Sequence, residues 1–294
     1  MQKVALYAKE ISFDYEKDIH KLFHFLESKG VEIYISDRFK KLLADVFEIN
    51  HDYPVFSTPN DISQLNIDLF ISIGGDGTFL DGAKYVFESG IPIIGLNTGR
   101  LGFLSRISSH ELEDALELMY QKKYSIENRT VIQLDTDLDL FGDFNFALNE
   151  MTIHKNDTSS MITIHAYMNN EFLNSYWADG LIISTPTGST AYSMSCNGPI
   201  VFPGSHNLIL TPIAPHNLNV RPVVIPDNAQ LTFRVESRSQ NLLLSLDSRT
   251  EVISQDIVLR LTTHKKQLKL VQLPGHTYLT TLRNKLNWGL DKRN

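Results

Sequence analysis

A chain of 294 residues is long enough for two domains of ordinary size, each with its own core. Its 42% hydrophobic and 21% charged residues are those of a globular protein, and no stretch reaches the roughly 18 uninterrupted apolar residues that a membrane span needs. A net charge of −7 argues against a nucleic-acid-binding surface as its main business, although local backbone can still cradle phosphates.

Met1 to Tyr7 runs directly into a strand pattern without a secretory signature, so the expected compartment is the cytoplasm. Val4 to Ala8 reads as a first strand. Ile19, Leu22, Phe23 and Leu26 then share one helical face, and Gly30 stops that helix. Val31 to Ile35 is a second strand and Arg38 to Phe47 a second helix. Asn50 to Asn66, with two prolines, reads as the least regular part of this half.

Leu69 to Ile73 is an apolar run of strand length. It feeds the corner Gly74-Gly75-Asp76-Gly77-Thr78, after which Phe79, Ala83, Val86 and Phe87 fall on one helical face. Strand, glycine corner and helix start together make an anion site, because glycines let a ligand come close and the helix N-terminus offers free N–H groups. Asp76 inside such a loop reads in two ways. It is a base or cation holder for the bound molecule, or it is a local cap in an Asp-Gly turn.

Gly90 ends the helix, and Ile91 to Leu96 reads as a strand buried on both sides of a parallel sheet. The loop Asn97-Thr98-Gly99-Arg100-Leu101-Gly102-Phe103-Leu104 follows, at a strand's carboxyl end where open α/β sheets bind ligands. Ser109 caps a helix carrying Leu112, Ala115, Leu116 and Met119. Residues 1–125 thus form an α/β domain with a mostly parallel sheet.

From Thr130 the helical period gives way to short alternating runs, among them Phe146 to His154, Ile162 to Met168, Leu181 to Ser184 and Leu242 to Leu246. Asn169-Asn170 is placed as a hairpin turn. Residues 126–274 therefore read as a β-rich, sandwich-like domain, and the helical tail 275–294 is expected to pack back on the first domain. In the second domain Asn149-Glu150 sets an amide beside a carboxylate. Neighbouring strand residues point to opposite faces, so their joint use requires a bulge. Asp179-Gly180 opens a strand that runs into Thr185-Pro186-Thr187-Gly188-Ser189-Thr190-Ala191-Tyr192-Ser193-Met194-Ser195, many donors with little bulk, a lining that suits a sugar or nucleotide. The lone Cys196 excludes an intrachain disulfide, and no local motif marks it as a catalytic thiol. His154, His165 and His216 have no metal-ligand spacing.

These motifs, in this order, resemble the NAD kinases: Gly74 to Thr78, Asn97 to Leu104, Asn149-Glu150, Asp179-Gly180 with Ser184 to Tyr192, Pro215-His216, and Asn284 to Trp288. The resemblance covers nearly the whole chain from about residue 69. It implies transfer of the ATP γ-phosphoryl group to the 2′-hydroxyl of the adenosine ribose of NAD, giving NADP. It also implies a divalent cation, magnesium in the first instance, and a homo-oligomer, dimer or tetramer; net charge and the lack of a long apolar run speak against a nucleic-acid or membrane partner. By resemblance Asp76 is the proton acceptor, and Gly77, Asn149, Glu150, Trp177, Asp179, Thr190, Ala191, Tyr192, Ser193, Met194, Ser195, Ala214 and Arg249 bind the nucleotides. Trp177 stands where arginine is common in the family, and Arg249 where glutamine is usual. The competing classes are a lipid or sugar kinase with the same glycine-aspartate loop and a catalytically inactive NAD(P) sensor. The 179–195 stretch counts against the first and Asp76 against the second.

Overall fold

The computed structural model describes residues 1–47, 49, 52–157 and 160–288. In chain order the first elements are β1 (Lys3–Ala8), α1 (Glu16–Ser28), β2 (Glu32–Ser36), α2 (Asp37–Phe47), β3 (Val55–Phe56), α3 (Pro59–Gln64), β4 (Leu69–Ile73), α4 (Asp76–Val86), β5 (Ile93–Leu96), β6 (Ser105–Ile107), α5 (Leu112–Tyr120) and β7 (Ser125–Arg129). Antiparallel elements follow: β8 (Ile132–Asp135), β9 (Phe146–Ala147), β10 (Glu150–Lys155), β11 (Ile162–Met168), β12 (Glu171–Ala178) and β13 (Gly180–Ser184). The short α6 (Tyr192–Ser195) precedes β14 (Asn207–Ile213), β15 (Val223–Pro226), β16 (Leu231–Glu236), β17 (Asn241–Leu246), β18 (Arg249–Ser254) and β19 (Leu259–Thr263). The chain ends with β20 (Leu268–Gln272) and α7 (Tyr278–Leu286); the last six residues expected in the tail, 289–294, lie outside the described residues.

Contacts divide the chain into one unit of residues 1–128 with 268–294 and a second of residues 129–267. In the first unit the sheet order is β3-β2-β1-β4-β5-β20-β7, with β6 beside β5, and the β1, β2, β4 and β5 pairings are parallel. Strand residues alternate between two buried faces, which is why these runs read as continuously apolar. Leu6 and Ile71 face a core filled by Leu22, Phe39 and Leu116. Tyr7 and Phe70 face the other way, against Tyr85 and Phe56. The strand order reverses between β1 and β4, so the crevice beyond their carboxyl ends is the place where such sheets take ligands.

The second unit is two antiparallel sheets, β15-β14-β13-β10-β17-β18 and β12-β11-β16-β19-β8-β9. Met151, Ile183 and Leu244 from one and Ile164, Phe233 and Leu261 from the other belong to a single buried core. Asn169 and Asn170 both adopt left-handed backbone, with φ of 51° and 68°, and join β11 to β12 as the hairpin turn expected from their sequence. Three elements differ from the sequence reading. β20 lies within the 126–274 stretch read as the second domain, but it belongs to the first unit's sheet. The segment before β4 holds a helix, α3, started by Thr58 and Asp61 in a reciprocal cap with Pro59 in the first turn. The alternating run Phe146–His154 is not one strand: it breaks at Leu148-Asn149 into β9 and β10. Among the described residues no helix is long and apolar enough to cross a membrane.

Candidate active site

At the end of β4 the chain turns on Gly74, whose φ of +145° is a conformation that side chains rarely adopt. A Cβ there would also sit 2.6 Å from Thr78 Oγ1. Gly75 and Gly77 have open space where a Cβ would go, and both are exposed. The corner therefore presents bare backbone at the sheet's switch point, beside the end of β1, where Ala8 pairs with Ile73.

Asp76 opens α4, and its carboxylate is held from the side by the second loop of the sequence motif. Oδ2 accepts the Phe103 N–H at 2.8 Å, and Oδ1 accepts those of Leu104 and Ser105 at 3.0 Å each. A carboxylate offers about four lone-pair sites, two on each oxygen, so the site left over is on Oδ2. The donating loop is rigidly built. Asn97 donates to the Arg100 and Ser105 carbonyls at 2.8 and 3.2 Å and accepts from Gly99 N–H at 2.6 Å. The buried Arg106 donates from Nε to the Phe103 carbonyl at 2.8 Å; burial lowers its pKa, while the charges of Glu127 and Asp76 oppose that shift. Gly102 is there for space: a Cβ on it would stand 1.9 Å from Asp76 Oδ1.

In the second unit Asn149 and Glu150 lie at the break before β10. Asn149 is buried, and its carbonyl accepts the Thr185 N–H at 2.9 Å. Gly188 packs so closely on it that a Cβ would fall 2.1 Å from the Asn149 carbonyl oxygen. Glu150 keeps Oε2 buried without a hydrogen-bond partner; burial first, and the Asp247 charge second, push its carboxyl up to about 8. Asp179 carries an ion pair to Lys155 Nζ at 2.6 Å. The exposed Tyr192 lies within electrostatic reach of both acids: burial raises its phenol pKa, and Cys196, Asp179 and Glu150 add to it. The structure therefore gathers Asn149, Glu150, Asp179 and Tyr192 within one unit.

The hydroxyl-rich stretch behaves differently from a lining of free donors. Thr185 Oγ1 bonds the Leu148 carbonyl at 2.6 Å, Ser189 Oγ that of Pro186 at 2.7 Å, and Thr190 Oγ1 that of Thr187 at 3.3 Å. Ser193 pairs with Thr211 at 2.8 Å. Those hydroxyls hold the loop's shape, while Ala191, Tyr192, Met194 and Ser195 stay at least partly exposed. Trp177 is half exposed with its ring 4.1 Å from that of His216, and the neighbouring Ala214 is exposed in left-handed backbone at φ 44°. Arg249 donates to the carbonyls of Phe144 and Phe146 and lies against the rings of Phe141 and Phe146. Sequence reasoning passed over Asp247, whose carboxylate takes three backbone amides. A lone aspartate at a hairpin tip carries no sequence signal for a partner about a hundred residues away.

Both halves match known families: residues 8–124 match the ATP-NAD kinase N-terminal domain and residues 148–273 the ATP-NAD kinase C-terminal domain. The chain is 46% identical to an NAD kinase of Flavobacterium psychrophilum, covering 99% of this chain and 100% of that one. It is 45% identical to an NAD kinase of Cytophaga hutchinsonii, covering 99% of each. Among solved structures, yeast NADH kinase complexed with NADH superimposes with a TM-score of 0.85 at 22% identity, covering 99% of this chain and 89% of that one. An NAD kinase from Archaeoglobus fulgidus in complex with ATP gives 0.73 at 21% identity, covering 97% and 98%. At those identities the structures speak for the fold, an α/β domain joined to an antiparallel β domain. With both family halves matched in order and full-length relatives above 40% identity, the chain belongs to the NAD kinase family.

Proposed function

We propose that the protein transfers the γ-phosphoryl group of ATP to the 2′-hydroxyl of the adenosine ribose of NAD, giving NADP and ADP. The observation that carries the reading is Asp76, an acid at a bare glycine corner with one lone-pair site to spare. Phosphoryl transfer asks mainly for positioning and charge neutralisation, so a base that receives the hydroxyl proton late in the reaction suffices. The amides of 103–105 fix the carboxylate and leave Oδ2 to accept the ribose proton. Gly75 and Gly77 admit the phosphates to the α4 N-terminus, where N–H groups and the helix dipole favour negative charge.

In this reading the first unit is the kinase domain and the second binds the NAD. Asn149 and Glu150 hold ribose hydroxyls; Glu150, protonated at neutral pH, donates as well as accepts. Asp179, paired with Lys155, takes a polar edge. Tyr192 stacks on a base, with Ala191, Met194 and Ser195 along the pocket and Thr190 and Ser193 supporting it. Trp177 and Ala214 line the approach, Trp177 by ring contact rather than charge.

Among the described residues no cluster of three or more histidine, cysteine, aspartate or glutamate side chains could hold a metal. In this reading magnesium enters with the nucleotide phosphates, which hold it in place of a protein cage. Cytoplasmic location and a homo-oligomer, dimer or tetramer, belong to the same proposal. The test is NADP formation from NAD, ATP and magnesium, read through an NADP-specific dehydrogenase, beside Asp76→Asn. Turnover by the parent and none by a folded Asp76→Asn protein that still binds NAD supports the reading. Near-full activity in that variant removes Asp76 as the base.

A further inference from the structure

Three consecutive backbone N–H groups, those of Leu148, Asn149 and Glu150, converge on the carboxylate of Asp247. Oδ2 accepts from Leu148 at 2.9 Å, and Oδ1 from Asn149 at 2.8 Å and Glu150 at 3.2 Å. The Asp247 N–H returns a bond to the Glu150 carbonyl at 3.0 Å. Successive amides of a strand point to alternate sides, so three in a row aimed at one anion require the chain to leave the strand conformation. It does so at Leu148-Asn149, between β9 and β10. A period-two pattern alone would have continued through it.

The anion is supplied by the tip of the β17–β18 hairpin. Asp247 occupies left-handed backbone at φ 51°, as tight hairpin turns demand, which swings its side chain toward β10. Two residues on, Arg249 donates to the carbonyls of Phe144 and Phe146. One hairpin tip thus grips the same segment twice, by its N–H groups at and just beyond the break and by its C=O groups before it. A desolvated carboxylate is tolerated only when its oxygens are satisfied, and here both are. Burial pushes the Asp247 carboxyl up, while the three amides and the Arg249 charge oppose that shift.

We propose that Asp247 is a positioning residue of the NAD site: it imposes the break that lets Asn149 and Glu150 act on one ligand, while Arg249 fixes the strand leading into them. Adjacent residues of an unbroken strand cannot serve one ligand from one face, so the break is what makes the pair usable. The inference rests on the NAD kinase reading given above.

The experiment compares the full-length protein with Asp247→Asn, Arg249→Met and Arg249→Lys, measuring KM for NAD and for ATP separately, NAD binding by calorimetry, and thermal unfolding. Asp247→Asn is expected to raise KM and Kd for NAD at least tenfold while KM for ATP stays within twofold. Arg249→Met shifts NAD in the same direction by about threefold or more, and Arg249→Lys restores part of it. A folded Asp247→Asn protein with a lowered Tm but unchanged KM for NAD overturns the proposal, as does an equal rise in both KM values. Should Asp247→Asn not fold, the arginine pair decides: a folded Arg249→Met protein with NAD KM within twofold of the parent overturns it. A parent that neither binds NAD nor forms NADP defeats the NAD kinase reading and this inference with it. A working parent with indifferent variants defeats this inference alone.

Discussion

Replacing Gly102 by alanine puts one methyl group where the Asp76 carboxylate now lies. The new Cβ would stand 1.9 Å from Oδ1 and 2.7 Å from Cγ, against the 3.4 Å at which ordinary contact begins. Either the carboxylate or the loop must move by about 1.5 Å, more than the roughly 1 Å misplacement that costs about a hundredfold in rate. The move also breaks hydrogen bonds from 103–105 to a charged acceptor, each worth about 1.5–3 kcal/mol. We expect kcat for NADP formation to fall by about 10²-fold or more, and stability by about 2–4 kcal/mol. The control is Gly99→Ala in the same loop, where the new Cβ meets only Asn97 Oδ1 at 3.9 Å. That variant should keep both activity and Tm. If Gly102→Ala turns over within a few-fold of the parent, Asp76 does not need the amide cradle and its placement as the base is mistaken.

Gly77→Ala gives the converse result. Nothing lies within 4 Å of its Cβ, and alanine is the better helix former by about 1 kcal/mol, so Tm should hold or rise while the KM values for the nucleotides increase, as steady-state kinetics will show. Glu150→Gln tests the buried acid. With a folded pKa of about 8 above a reference of 4.5, the native state binds more protons than the unfolded chain between those values. Glu150 therefore stabilises fully below about pH 4.5, loses that contribution as pH rises toward 8, and adds no slope beyond. The parent's Tm should accordingly decline over that window and the variant's should decline less, by calorimetric scans across pH; parallel curves would show that Glu150 ionises normally. Lys155→Met frees Asp179 from its 2.6 Å partner, and we expect KM for NAD to rise several-fold with KM for ATP unchanged in the same assay.

The first unit was legible because its signals are local. Gly30 takes the left-handed conformation at φ 66° beyond α1, and the apolar runs at Val4 and Leu69 became adjacent parallel strands. The helix Pro59–Gln64 carries a sequence signature too, Thr58, Pro59 and Asp61 at its start, but it sits in a segment whose two prolines and turn formers signal irregular chain. What sequence could not show was determined at a distance. Asp76 looked like a turn acid or a free base, and is in fact tethered to amides 27 to 29 residues on. The break at Leu148-Asn149 comes from Asp247, and the hydroxyls of Thr185 to Ser193, which read as ligand donors, are mostly consumed in shaping their own loop. Composition reported the chemistry of that loop correctly and its direction not at all.

The place of β20 in the first sheet has a consequence for the newborn chain. It lies between β5 and β7, yet it is made after the whole of residues 129–267. While the ribosome works through that stretch, about 7–30 s at roughly 5–20 residues per second, β5 and β7 await the strand between them. For that interval the β7 edge and the part of the β5 edge that β6 does not cover stand open, the situation in which strands recruit the wrong neighbour. Successful synthesis therefore depends on the inserted domain folding promptly enough to bring Leu268–Gln272 home.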